Sequence, residues 1–158
     1  MSASVIEQVA ERLKARGETI AVAESSTGGL ISAALLSQAG ASAYYRGGAV
    51  VYTAKARAAL MGVTKEEMGE MRSASEPYAR FMAARVREHM AATWGLAETG
   101  ASGPSGNVYG DDAGHCCLAV SGPVSLSLVL ETGHGERETN MTTFRDAALR
   151  LLLDALSA

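Results

Sequence analysis

Cysteine is nearly absent from this chain. Cys116 and Cys117 are the only two, adjacent in an apolar run. Neighbouring cysteines cannot form an ordinary disulfide staple, nor supply a four-ligand metal site. They read as buried free thiols of a protein in the reducing cytosol. An excess of charge of one sign is missing too. Lys plus Arg number 14 and Asp plus Glu 17, a net charge of -3, so no electrostatic footprint points to nucleic acid or to an anionic membrane. No apolar run reaches the roughly 18 residues of a spanning helix. The N-terminus has neither the basic start nor the apolar core of a signal peptide. Linkers, repeats and low-complexity tracts are lacking. With 158 residues the chain reads as one domain, 1–158, long enough to bury a core. The three prolines fall where breaks are tolerated: Pro77 in a helix's first turn, Pro104 in a loop, Pro123 in a turn.

What is present is an alternation of helical and strand periodicity. Residues 4–16 have the spacing of an amphipathic helix, with Ser4 and Glu7 as a capping box and Arg16-Gly17 as its end. A strand is expected over about 19–23, then a helix over about 27–38. Tyr44 to Tyr52 reads as a short buried strand. A helix over 53–61 is closed by Gly62, and Thr64 with Glu67 caps another short one. A long helix is expected over 75–93, a strand over 94–99, a glycine-rich loop over 100–114, a hairpin of 115–121 and 124–130, and a last helix over 136–156. Helices precede, separate and follow about five strands. The fold class is therefore α/β, a three-layer α/β/α sandwich around a central mixed sheet. In such sheets, sites gather at the carboxyl ends of strands. The polar or glycine-rich stretches after 18–23, 45–52 and 94–99 all fall there.

The stretch Ala21 to Leu30 carries the first candidate chemistry. A β-prone run stops at Glu24-Ser25-Ser26-Thr27-Gly28-Gly29, and a helical run follows. Hydroxyls and glycine amides at a helix N-terminus suit an anion or a developing oxyanion, and a serine on a strand-to-helix turn can be an exposed nucleophile. The alternative is that Ser25 or Ser26 only caps the helix.

Ala23-Glu24-Ser25-Ser26-Thr27-Gly28-Gly29 is similar to the A-E-S-[CS]-T-G-G signature of the CinA C-terminal domain family. These are the nicotinamide-nucleotide amidohydrolases, found alone or fused to competence/damage-inducible protein A. Tyr52-Thr53-Ala54-Lys55-Ala56-Arg57 with Leu60-Met61-Gly62-Val63 resembles the family's Y-[ST]-N-E-A-K and L-L-G-V. Thr99-Gly100-Ala101-Ser102-Gly103-Pro104-Ser105-Gly106 resembles T-G-I-A-G-P-x-G. Ala74-Ser75-Glu76 and Gly135-Glu136-Arg137 are weaker matches to V-S-E and G-D-R. The matches are collinear from Ala23 to the last helix.

The resemblance implies hydrolysis of the carboxamide of nicotinamide mononucleotide to nicotinic acid mononucleotide and ammonia, without a metal or organic cofactor. It implies Ser25 as nucleophile, with the Ser26 and Thr27 amides as oxyanion donors and Thr99 as a hydrogen-bond donor near the scissile amide. Tyr52 would pack on the pyridine ring or donate its hydroxyl. Ser26, Thr27, Gly28, Gly29, Gly100, Gly103 and Gly106 would line the substrate, and Arg137 would meet its phosphate. It also implies a cytoplasmic homodimer.

The chain departs from the family at the lysine that partners the serine, which here is Arg57. Arginine stays protonated and cannot act as a general base, although it can orient or stabilise an anion. Lys55 can stand in if the segment is extended. In a helix it lies about 200° round the axis from Arg57. His115 opens the strand after the glycine loop, either as a substitute for proton transfer or as a rim histidine. Asn140 or Met141 falls where the family has a second arginine. Two alternatives therefore stand beside the amidohydrolase: a member acting on another amide, ester or nucleotide-derived substrate, and a nucleotide-binding module without turnover.

Overall fold

The computed structural model describes residues 2–158. Helix α1, Val5–Arg16, starts at the Ser4/Glu7 capping box and ends at Gly17. Strand β1 is Ile20–Glu24 and helix α2 is Leu30–Leu36. Helix α2 is shorter than expected at both ends, because residues 25–29 form a turn tied to two carboxylates. After a single helical turn come β2, Tyr45–Val50, α3, Ala54–Met61, capped by Thr53, and α4, Lys65–Met68, with the Thr64/Glu67 box. Helix α5, Glu76–His89, begins at Ser75. It stops short of the expected residue 93, since Ala91 turns to a φ of 49°. Strands β3, Trp94–Ala101, β4, His115–Ser121, and β5, Leu126–Glu131, lead to α6, Arg137–Ser157.

The sheet order is β2-β1-β3-β4-β5. Strand β1 runs parallel to β2 and β3, while β4 is antiparallel to β3 and β5. The sheet is thus mixed. The carboxyl ends of β1, β2, β3 and β5 and the start of β4 all lie at one edge.

Side chains alternate across the strands, and the two faces differ in size. Ile20, Val22, Trp94, Leu96, Leu118 and Val120 pack with residues of α1, α2 and α6. Ala21, Ala23, Ala97 and Ala119 pack with Tyr78, Ala79, Met82, Ala83 and Val86 of α5. The small residues let α5 lie close on the sheet. At Gly95 an added Cβ would come within 2.0 Å of the Ala83 carbonyl oxygen. These two cores make the three layers expected from the element order.

One strand differs from its reading. β2 is not buried but is an edge strand, where half-buried and exposed residues alternate and Val50 is 42% exposed. Among the described residues its outer edge has no neighbouring strand, so a β-rich composition does not bury it. Cys116 and Cys117 are free and buried, one in each core. Burial pushes the Cys117 thiol up to about 11 and the Cys116 thiol well above its usual range. No helix among the described residues is long and apolar enough to cross a membrane.

Candidate active site

The turn after β1 is built around two buried carboxylates. Glu24, at the end of the strand, accepts from the Gly29, Ile31 and Ser32 amides at 3.1, 3.0 and 2.9 Å. It therefore occupies the N-terminal end of α2, where an anion was expected from outside. Glu98 reaches across from β3. Its carboxylate accepts from the Ser25, Ser26 and Thr27 amides at 2.9, 3.2 and 2.9 Å, and from Ser26 Oγ at 2.5 Å. Thr27 Oγ1 lies between the two acids, 2.6 Å from Glu24 and 2.7 Å from Glu98.

This network changes two expectations. The Ser26 and Thr27 amides are not free for an oxyanion, because Glu98 already holds them. Neither serine caps α2: the N-cap is Gly29, without a side-chain bond. Of the three hydroxyls in the turn, those of Ser26 and Thr27 are committed to carboxylates. Ser25 Oγ has no partner among the described residues, and half-buried Ser25 lines a cleft.

That cleft has a volume of about 670 Å³ and is walled by Ser25, Tyr52, Arg57, Ser73, Thr99 and Tyr109, with Gly100, Gly106 and Asn107 among its floor residues. A second chamber of about 170 Å³ shares Tyr52, Gly100, Gly106 and Asn107 and adds Ser26, Ser102, Gly103 and Arg137. The larger cleft lies within the range typical of small-molecule sites.

Each wall is held by identifiable contacts. Arg57 donates to Ser73 Oγ at 3.2 Å and stacks 5.4 Å from the Tyr78 ring centroid. Burial raises the Tyr78 phenol above its ordinary range despite that cation. Thr99 Oγ1 accepts the Ala74 amide at 3.0 Å, which leaves its own hydrogen available to the cleft. Tyr52 is 61% exposed, so it is no core tyrosine. Its hydroxyl receives a 3.4 Å contact from Arg137, whose other arm donates to the Gly103 carbonyl. The loop carrying Tyr109 is closed by Asn107 Oδ1, which accepts from the Tyr109 and Asp111 amides. Asp111 in turn pairs with Arg72 through contacts of 2.8 and 3.2 Å. Gly106 permits that closure, since a Cβ there would meet the Asp111 carbonyl oxygen at 2.1 Å.

The structure thus brings Ser25, Tyr52, Arg57, Thr99, Gly100 and Gly106 to one cleft, with Ser26, Gly103 and Arg137 in the adjoining chamber. It does not bring Lys55, Thr27, Gly28 or Gly29 to either. Lys55 is exposed on α3, where helical geometry turns it away from Arg57. Thr27 is fully buried. The Gly28 amide is spent on the Ser25 carbonyl and the Gly29 amide on Glu24. Gly100 belongs to β3 and pairs with Cys116 rather than lying in a loop. His115 is not a rim residue: it is buried, and both ring nitrogens face acceptors, Glu131 Oε1 at 2.5 Å and the Ala74 carbonyl at 2.8 Å. Near the missing second arginine, Asn140 is buried and donates to the Ser102 and His134 carbonyls, both at 2.9 Å.

Sequence reasoning missed Glu98, Ser73, Ala74 and Tyr109. Glu98 had a signal: it is a lone acid in a strand otherwise apolar from Trp94 to Ala97, and a buried charge needs partners. Ser102 Oγ is buried with no hydrogen-bond partner among the described residues and stands where the family pattern has alanine. Among the described residues no group of three or more His, Cys, Asp or Glu is placed to hold a metal ion.

Comparison with known proteins bears on this site. The model of the CinA C-terminal domain family matches residues 2–156. A CinA-like protein of Gloeobacter violaceus is 45% identical over 107 residues, which is 68% of this chain and 25% of that protein. A CinA-like protein of Anaeromyxobacter dehalogenans is 38% identical over 148 residues, 94% of this chain and 36% of that one. The chain therefore spans a quarter to just over a third of these curated relatives. Among solved structures, a CinA superfamily protein of Klebsiella pneumoniae superposes with a TM-score of 0.87 at 28% identity, covering 98% of this chain and 99% of its own. A competence/damage-inducible protein of Agrobacterium tumefaciens gives 0.85 at 31% identity over the whole of both chains.

Proposed function

The chain belongs to the CinA C-terminal domain family, and on that premise we propose that it is a cytoplasmic amidohydrolase of pyridine nucleotides, deamidating nicotinamide mononucleotide through Ser25. One observation carries this reading: Ser25 has the only hydroxyl of its turn left without a protein partner among the described residues, and it lines the cleft. In this reading Ser25 Oγ attacks the amide carbon, its proton passes by way of solvent to the departing nitrogen, the carbon–nitrogen bond breaks to release ammonia, and water hydrolyses the resulting ester to the acid and free serine. With the Ser26 and Thr27 amides held by Glu98, the oxyanion falls to the other donors of the cleft, the Thr99 hydroxyl and the Arg57 guanidinium. The Arg137 side of the smaller chamber takes the phosphate, and Tyr52 offers its exposed ring to the pyridine. The nucleotide is bound without a metal or organic cofactor, by a homodimer.

A specific observation favours a second reading. Among the described residues, no side chain able to accept a proton is hydrogen-bonded to Ser25 Oγ, the Glu98 carboxylate being engaged by the Ser25 amide instead, and Arg57 keeps its proton at any working pH. A pocket of this kind suits a member that acts on another amide or ester, or one that binds a nucleotide without turnover. Chromatographic product analysis separates these. Nicotinic acid mononucleotide formed by the parent but not by Ser25→Ala supports the amidohydrolase. A raised melting temperature with nucleotide and no acid product supports binding alone.

A further inference from the structure

Ala74 joins elements that the proposed chemistry leaves unconnected. It is a non-glycine residue with a φ of 57°, a left-handed conformation that an L-residue keeps only when its surroundings enforce it. The enforcing bonds are visible on both sides of its Cα. The Ala74 N–H donates to Thr99 Oγ1 at 3.0 Å, and the Ala74 carbonyl accepts from His115 Nε2 at 2.8 Å. Arg72 Nη1 at 3.4 Å and Cys117 Sγ at 3.6 Å are more distant donors to the same carbonyl. Two bonds that orient the peptide planes before and after one Cα fix its φ and ψ.

The hydrogen count at His115 is decisive. Its Nε2 faces a carbonyl oxygen and its Nδ1 faces the Glu131 carboxylate at 2.5 Å. Both partners are acceptors, so both nitrogens must carry hydrogen, and only the imidazolium does. A neutral ring keeps one hydrogen: the shorter, charge-assisted bond from Nδ1 to the Glu131 carboxylate retains it, and Nε2 turns a lone pair toward the Ala74 carbonyl oxygen. We infer that His115, as an imidazolium, is a positioning residue: it holds Ala74 in its left-handed conformation, the Ala74 N–H sets the Thr99 hydroxyl, and the cleft loses its ligand-binding geometry when His115 loses its proton.

The surrounding charges agree with this. Asp111 Oδ2 lies 3.7 Å from His115 Nε2, Glu131 pairs with Nδ1, and Cys117 Sγ is 3.6 Å from Nε2. Arg72 is engaged by Asp111, and Glu76 on α5 is engaged by Ser127. Burial lowers the His115 pKa, but the hydrogen bonds to Glu131 and Ala74 and the charges of Asp111 and Glu131 raise it above the usual 6.5. The hold on Ala74 is therefore complete below that value and lost as pH rises through the higher folded one. The effect on ligand rests on the cleft being the site proposed above, whereas the hold on Ala74 does not.

The test uses the whole nitrogen-labelled chain. Long-range proton–nitrogen spectra should show both His115 ring nitrogens protonated below pH 6.5, since its pKa is raised above that value. As the ring titrates above pH 6.5, hydrogen-exchange protection of the Ala74 amide should fall about ten-fold, the loss of one bond to a charged donor, while the Leu96 amide stays protected. His115→Gln, once circular dichroism shows it folded, should lack that step at every pH. The affinity of nicotinamide mononucleotide should fall in parallel in the parent and be flat with pH in His115→Gln. A neutral His115 below pH 6.5, or Ala74 protection unchanged across the titration, overturns the proposal. Ala74 protection that moves while nucleotide affinity does not overturns the link to the cleft. Ala74 protection that moves with no nucleotide binding at any pH supports the hold on Ala74 and counts against the amidohydrolase.

Discussion

Ser102 and Glu98 present opposite problems to the fold. Ser102 buries a hydroxyl with no bonding partner among the described residues, at a cost of roughly 1–3 kcal/mol for an unsatisfied polar group. Ser102→Ala is therefore expected to raise stability by about 1 kcal/mol, read as a higher denaturation midpoint. If its hydroxyl meets a ligand in the smaller chamber, the same variant will bind nucleotide more weakly. Glu98 instead satisfies three amides and two hydroxyls. Glu98→Ala strands the three amides and the Ser26 hydroxyl, while Thr27 Oγ1 keeps Glu24, and is expected to cost about 3 kcal/mol or more, on the same denaturation curve. Arg57→Lys restores a group that can deprotonate when desolvated. It is expected to raise the deamidation rate at least about ten-fold, in keeping with the usual worth of a general base. An unchanged rate would favour a repurposed pocket. The candidate site is legible here only in part. Ser25, Arg57 and Thr99 stand in motifs and can be nominated from them. Glu98 meets Ser25 across 73 positions of sequence, a pairing set by strand register alone.

At the scale of elements, local signals are the ones that read true. The Ser4/Glu7 and Thr64/Glu67 boxes both form, because capping is decided within four residues. Helix α2 begins later than its pattern suggests, since Glu24 and Glu98 draw the preceding amides into a turn. Strand β2 has a buried strand's composition but an edge position, and no local pattern encodes which strands flank it. The seat of α5 on β3 makes a sharper test. Gly95→Ala would drive a methyl into the Ala83 carbonyl and the Arg87 side chain. A loss of about 1–3 kcal/mol is expected from overpacking, whereas Gly17→Ala, with open space at its Cβ, pays only for its left-handed φ. Equal losses at the two positions would mean that α5 does not sit against the sheet as described.

Over the whole molecule, the class of fold follows from the alternation of helix and strand patterns, and the two-sided core follows from large and small residues alternating along β1, β3 and β4. Charge balance makes pH the natural probe at this scale. Asp111 is pushed up by burial but held below its usual 3.8 overall by Arg72, Asn107 and His115. Its contribution to stability is present above that value and lost as pH falls through its folded pKa. His115 works in the opposite sense, its contribution being present below 6.5 and lost as pH rises through its raised folded pKa. Melting temperatures are expected to fall at both ends, with Asp111→Asn flattening the acid limb and His115→Gln the alkaline one. A pH profile unchanged by either substitution would show that the cluster carries no linkage.

The central claim is that Ser25, and not its neighbour, is the free hydroxyl that reacts. Ammonia release from nicotinamide mononucleotide, measured side by side for the parent, Ser25→Ala and Ser26→Ala, tests it most directly. Release by the parent, none above background from Ser25→Ala, and persistent release from Ser26→Ala in a less stable protein are expected. Release that survives Ser25→Ala, or a parent that folds and releases no ammonia, would contradict it.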